Sequence, residues 1–484
     1  MMVAQVLTNN QQEETSRQQK RAEERRRQKA QKKLERLAAK TNLPITFDNA
    51  SVTAYGNFGL FEAFKKVVGL QELLQEHTDI KRRHNCLYSA HEIIDTMVDA
   101  AALGLLRFSH MGALKQDPGY QTLKARDTVP DERTLRYLLA KLTEKHVEQL
   151  RNVNDALLLL KANMDGPRSV WLDFDDSVIT VFGNQEGSEV GYNPRYHGRS
   201  SYKVKVAFVS ESAELINADL CGGKTASNGG FLDFLKETLA KIDPRKTVVE
   251  GIRIDRGFFD EANFIYLEDQ DLRYVCKGKM TGGMKKVLDY LNEQDAWEAL
   301  DKTYATAEIT IPLPSWTRSR RLVFIRERIR PKEIKGQMCL DLDTYEYQVI
   351  VTNMDDLTCE EVWHWYNKRC NIENKIDELK VGLGLDQTSQ HEMQRNVLYM
   401  WIKILAYNLL NWFRLAVLPE EASHHEIPTL RRLILNVAGN IVGQGRYRHV
   451  KLAPNRWLEK TIETIKAKFK EFITQRACQW VGSS

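Results

Sequence analysis

From Ser51 to about Ala162 apolar residues recur at three- and four-residue intervals, through "LFEAFKKVVGLQELLQ", "SAHEIIDTMVDAAALGLLRF" and "ERTLRYLLAKLTEKHVEQLRNVNDALLLL". That period predicts amphipathic helices and an all-α region. Pro130 or Asp131 opens the last stretch, where an acid after a proline suits a helix start, and its basic face includes Arg133 and Arg136. At Gly166 the period becomes two: "SVWLDFDDSVITVFG", "SYKVKVAFVS" and "AELINADLCGG" alternate as strands of a meander, with a turn through "NQEGSEVGYNPRYHGR". The helix "GGFLDFLKETLAKI", the buried-type strand "TVVEGIRIDRGFF", the helix "FDEANFIYLEDQ" and the strand "LRYVCKG" follow.

The order is therefore βββαβαβ. A meander followed by a right-handed crossover sets the fourth strand beside the first, which is the topology of an RNase H-like α/β sheet. After a Gly- and Lys-containing linker, "YATAEITIPLPSW", "RRLVFIRERIR" and "YEYQVIVTNM" resume the alternation, and "MQRNVLYMWIKILAYNLLNWF" is a strongly apolar helix. The expected organisation is a basic arm over 1–48, an all-α domain over 49–165 and a core over 166–279 and 345–416. A β-rich insertion over 280–344 interrupts the core, and a helical basic region over 417–484 closes the chain.

Composition narrows the class. The 484 residues, 42% hydrophobic, suit a soluble globular protein of several cores, with no apolar run of about 18 residues and no signal-peptide pattern. A cytoplasmic protein is expected. Seven scattered cysteines lack zinc spacing and read as reduced thiols. The formal charge of +5 is uneven: Arg17 to Lys40 holds eleven Lys/Arg against three Glu, which leaves the rest slightly acidic. Arg25, Arg26, Arg27, Lys32 and Lys33 in that run suit either a solvated helix or an arm on nucleic acid.

Candidate chemistry sits in two places. At about 100° per residue, Tyr366, Arg369, Glu373 and Lys380 of "WYNKRCNIENKIDELK" fall on one helical stripe about 60° wide. Spacing alone also allows a solvated face with Glu/Lys pairing. Asp175, in "LDFDDS" of the first strand, and Asp255, ending the fourth strand in "RIDRG", become neighbours in the inferred topology. Buried acids are costly unless paired or metal-bound, and a third acid from a later helix completes an oxygen cage suited to Mg²⁺ or Mn²⁺.

The run "DDS", the run "DRG" and the Tyr-x2-Arg-x3-Glu-x6-Lys spacing resemble the DDE transposases of bacterial insertion sequences with the YREK signature. Within them the chain looks most like the thirteen-eighty insertion-sequence family, a relative of the IS-four group. "GYNPRYHGRSSY" agrees as well. The resemblance implies Asp175, Asp255 and Glu373 as a triad holding two Mg²⁺ ions, with Mn²⁺ able to substitute, for cut-and-paste cleavage and strand transfer at terminal inverted repeats. Asp175 is chosen over Asp173 and Asp176 by matching "DDS" to the family's Asp-x-Thr/Ser run. Tyr366, Arg369 and Lys380 are implied phosphate contacts. A homodimer pairing two ends of double-stranded DNA, with the helical domain and arm gripping them in a nucleoid-associated bacterial protein, is implied too. Where hairpin-forming relatives often carry an aromatic residue after the signature Arg, this chain has Cys370.

Arg195, His197, Arg199, Lys203 and Lys205 form a basic hairpin near the expected site, suited to phosphates or to solvation. Trp316 suits packing or stacking on a displaced base. "CGGKT" lacks the first glycine of a phosphate loop, and "SHHE" reads as a loop. An RNase H-like nuclease without strand transfer and a domesticated DNA-binding protein remain alternatives.

Overall fold

The computed structural model describes residues 20–37, 48, 49, 51–329 and 344–482; the remainder of the expected arm, residues 330–343 of the expected insertion and Cys339 lie outside them. Two compact units divide the chain, 1–50 and 51–484. In the first, residues 20–37 are helical with every side chain exposed.

The second unit opens with the helices its sequence period requires. These are α1 (Phe58–Val68), α2 (Leu70–His77), α3 (Ala90–Leu103), α4 (Glu132–Leu139) and α5 (Glu144–Asp165). Gly69, at φ 85°, ends α1 and starts α2 in a left-handed conformation that a side chain would strain. Asp131 caps α4 by accepting from Thr134 N at 2.9 Å, as its place after Pro130 predicts.

The sheet follows. β1 (Arg168–Thr180), β2 (Ser200–Val209) and β3 (Leu215–Gly222) form the antiparallel meander. After α6 (Phe231–Ala240), β4 (Thr247–Ile254) returns parallel to β1 on its other side; after α7 (Glu261–Asp269), β5 (Arg273–Lys277) lies parallel to β4. The expected neighbours β1 and β4 are therefore in contact.

Residues 282–293, read from sequence as linker, are a helix, α8 (Gly282–Glu293). Thr281 caps it, and Met284, Leu288 and Leu291 are buried at helical spacing behind the two glycines that disguised it. β6 (Tyr304–Ile311), β7 (Arg320–Ile329) and β8 (Thr344–Thr352) then join the same sheet, because β8 pairs antiparallel with β5 through Ile350–Lys277 and Val351–Cys276. With two short strands the sheet has ten among the described residues, running β3-β2-β1-β4-β5-β8-β7-β6 through its labelled members. The helices α9 (Cys359–Asn367), α10 (Cys370–Asp377) and α11 (Met393–Val417), a β-hairpin of β9 (Gly439–Val442) and β10 (His449–Leu452), and α12 (Arg456–Gly482) complete the chain.

Period-two alternation divides the faces of β1. Val170, Leu172 and Phe174 pack with Phe231, Phe234 and Phe264 of α6 and α7, whereas Trp171 faces Val362 and Tyr366 of α9. The N-terminal helices share one core with α11 and α12: Phe61 and Phe64 meet Phe413 and Trp412, and Phe64 meets Phe472. Inside this helical layer Lys65 and Lys124 sit among Glu62, Asp95 and Asp99, with Lys124 Nζ at 2.6, 2.7 and 2.9 Å from the three acids. Tyr120 donates to Asp99 at 2.7 Å. Removing one cation strands buried carboxylates, so Lys65→Met is expected to cost about 3–5 kcal/mol in urea unfolding at neutral pH. A loss below about 1 kcal/mol would show that the network contributes little.

Candidate active site

Three acids of β1 have different fates. Asp173 is consumed by Arg253 of β4, whose Nε and Nη2 donate to its two oxygens at 2.6 and 3.1 Å; the same guanidinium donates to Ser210 Oγ. Asp176 lies on the opposite face, paired with Lys203 at 3.4 Å. Asp175 remains. The β1–β4 register ends at Phe174–Ile254, so Asp175 and Asp255 are the next residues of two adjacent parallel strands. Asp255 then enters a tight turn, Arg256–Phe258, anchored by Phe258 against Phe231 at 4.3 Å between ring centroids.

α9 is docked over these acids by Val362, Tyr366 and Trp365, with Trp365 edge-on to Trp171 at 5.2 Å. Arg253 Nη1 also donates to Trp365 O at 3.4 Å. In an unbroken helix that carbonyl would accept from Arg369 N. Instead Arg369 N turns to Tyr366 O at 2.9 Å, the helix tightens at Lys368–Arg369, and α10 starts afresh. The four signature residues thus lie on α9 (Tyr366), in the break (Arg369), on α10 (Glu373) and in a π turn, Glu378–Gly382 (Lys380), rather than on one stripe.

Those elements deliver each group separately. Arg369, buried, reaches Asp175 Oδ2 at 2.8 Å and Glu373 Oε1 at 3.5 Å, while its Nε is buried with no hydrogen-bond partner. Glu373 is 65% exposed. Lys380 Nζ donates to Ser177 Oγ and, at 3.2 Å, to Val178 O of β1. Tyr366 is buried, which raises its phenol above the usual range. Glu378 bolts the segment to the helical layer, accepting from Arg414 Nη1 of α11 and Ile427 N at 2.8 Å each.

The electrostatics follow from burial. Desolvation pushes Asp175 up to about 7; Arg369 opposes this and the neighbouring Asp176 and Asp255 reinforce it. Burial depresses the Lys380 ammonium. Among the described residues, the three metal-type ligands within 4.8 Å of one another are Glu62, Asp95 and Asp99, in the lysine-filled cluster of the helical layer. Asp175, Asp255 and Glu373 are not drawn together so closely; Arg369 supplies the positive charge between two of them.

The other expected contacts are spread out. Arg195, His197 and Arg199 are exposed in the β1–β2 hairpin. Lys203 and Lys205 are buried on the face opposite Asp175, since Val206 is the cross-strand partner of Asp175. Trp316 packs between Phe259, Phe264 and the Arg320 guanidinium. Arg25, Arg26, Arg27, Lys32 and Lys33 are exposed on the separate helix 20–37. Arg253 escaped sequence reading, although an arginine two residues before Asp255 in a buried-type strand signals a buried acid partner.

The sequence matches the family described as "Transposase DDE domain group 1" over residues 35–472, and the chain belongs to that family. No curated protein matches it. Among solved structures, a cryo-EM structure of a piggyBac transposase synaptic complex with hairpin DNA is similar, at 14% identity over 78% of this chain and 79% of that one. Its TM-score, 0.41, is too low to carry an argument. Among the described residues no helix is long and apolar enough to cross a membrane.

Asp175 also ties stability to pH. Its folded value, about 7, lies above the ordinary 3.8, so the folded state holds a proton that the unfolded state has lost between those values. Its contribution to stability falls as pH rises through that window, and the cost is complete above it. Asp175→Asn removes this titration while leaving the buried Arg369 without its partner carboxylate, so the variant should lose stability relative to wild type at about pH 4 and regain part of it by about pH 8. Thermal unfolding at both pH values measures this, and a deficit no smaller at the higher one would refute it.

Proposed function

We propose that the chain is a cut-and-paste DNA transposase in which Asp175, Asp255 and Glu373 hold two Mg²⁺ ions, with Mn²⁺ able to substitute. The supporting observation is the meeting of Asp175 and Asp255 on adjacent parallel strands, with Arg369 and Glu373 brought over them, in a chain of the DDE transposase family. The order β3-β2-β1-β4-β5 is that of an RNase H-like core. Three carboxylates are hard oxygen donors of the type Mg²⁺ takes. When bound, such ions polarise a phosphodiester and activate the attacking oxygen.

The chain's own residues do the rest. With ions held there, Asp175 would be ionised, any proton it carried passing to solvent water, and would release Arg369, while the exposed Glu373 would turn toward the strand acids. Arg369, released, offers a planar fork to a phosphate beside the scissile bond. Lys380, fixed to the end of β1, holds a charge for a second phosphate, and Tyr366 lies in the same wall. Arg195, His197 and Arg199 extend the basic surface, while the N-terminal helices and the arm grip terminal inverted repeats. Pairing of two DNA ends by a homodimer and membership of the thirteen-eighty insertion-sequence family belong to the same reading.

The test is divalent-metal-dependent cleavage of a plasmid carrying the gene's native flanking DNA. Wild type should cut at the element's ends, whereas Asp175→Asn, Asp255→Asn and Glu373→Gln should bind them and lose cutting by roughly 10⁴-fold or more. Binding without cutting under both Mg²⁺ and Mn²⁺ would leave a DNA-binding protein; cutting without joining would leave a nuclease. Deleting residues 1–45 should flatten the salt dependence of binding by about 0.9 in log–log slope per lost phosphate contact. An unchanged slope would remove the arm from the interface.

A further inference from the structure

The turn between β1 and β2 carries an unusual surface. Phe182, Tyr192 and Tyr196 are 67, 74 and 39% exposed. Phe182 and Tyr196 meet edge to face, with centroids 5.5 Å apart. The Arg199 guanidinium lies over the Phe182 ring at 5.7 Å and that of Arg195 over Tyr196 at 5.6 Å. The turn is built rather than loose. Asn193, buried, donates to Thr180 Oγ1 at 3.0 Å and accepts from Arg195 N and Tyr196 N at 3.2 and 3.0 Å. Val181 N closes its base on Ser200 O at 2.9 Å.

Its position is also defined. The strand residues that hold Lys380, Ser177 and Val178, lie just ahead of the turn, and Arg195 acts electrostatically on that lysine. Two acids of the same turn are engaged elsewhere: Glu186 accepts from Met393 N and Glu189 from Lys224 N, at 3.3 Å each. Aromatic faces flanked by Arg195, Arg199 and Lys380 thus stand beside the candidate site. Paired bases in a duplex keep their faces covered by their neighbours; an unpaired base frees one for stacking on an aromatic ring, while its phosphates seek cations.

We infer that Phe182 and Tyr196, with Arg195 and Arg199, form a stacking platform for an unpaired nucleotide of the DNA strand next to the cut. The platform rests on the reading of the site as one that acts on DNA, but it involves residues with no part in holding metal. Single-stranded flanks or locally opened base pairs would engage it, and it would favour ends that are already frayed.

The test uses full-length protein in EDTA and two probes: a duplex of the native end, and the same duplex with about three unpaired nucleotides, one of them 2-aminopurine. Wild type should bind the second about tenfold more tightly and change the fluorescence of the reporter base. Phe182→Ala and Tyr196→Ser, both at exposed positions, should abolish that preference and the fluorescence change while leaving duplex affinity within about twofold. Equal binding of the two probes by wild type, or a preference that survives both substitutions, overturns the platform and leaves the DNA reading standing. Failure to bind either probe at low salt overturns both. If Phe182→Ala instead converts a dimer to a monomer in sedimentation without touching the preference, the patch covers a second copy and the platform is wrong.

Discussion

The buried ion pair between Asp173 and Arg253 is the joint on which the site depends. It ties β1 to β4 from within the sheet, and the same guanidinium reaches Ser210 and the carbonyl of Trp365. One side chain therefore fixes the spacing of the strands that carry Asp175 and Asp255 and the seat of the helix above them. A charge pair removed from water gains little net stability, but losing one partner is expensive. Its value here is geometric: the carbonyl it takes from the helix ladder ends α9 where Arg369 must turn toward Asp175.

Around that joint the protein is closely packed. Phenylalanine and leucine from α6, α7 and α8 cover one face of the sheet, and α9 to α11 with the N-terminal helices cover the other. Glu378, held by Arg414, passes the position of the helical layer to the segment bearing Glu373 and Lys380. The acids at the strand ends thus sit on a packed floor, and the groups that answer them hang from a wall with its own anchor.

Much of this was legible in the sequence. Alternation gave the meander and the crossover, and with them the meeting of β1 and β4; helical periodicity gave the N-terminal layer and α11. What was not legible depended on partners distant in sequence. Nothing in "YNKRCN" breaks a helix by propensity; the break comes from Arg253, over a hundred residues earlier. Alternation shows that Lys203 and Lys205 share a face but not which one, and only the pairing of Asp175 with Val206 decides it. Likewise β6 and β7, within the expected insertion, look like any strands until β8 is seen paired with β5, which joins them to the same sheet. Helix α8 was hidden by Gly282 and Gly283, which read as a linker although Thr281 supplies a cap.

Arg369 has a consequence for how the protein comes into being. A nascent chain must bring Asp175 into a nonpolar interior, and many metal proteins meet a burden of this kind by leaving the fold unfinished until an ion is bound. Here the chain carries its own provisional counter-ion, delivered by the helix that also bears Glu373. Under the proposed metal-binding reading, assembly of the scaffold and loading of the site would be separate events, and scarcity of divalent ions would leave the chain folded rather than misfolded.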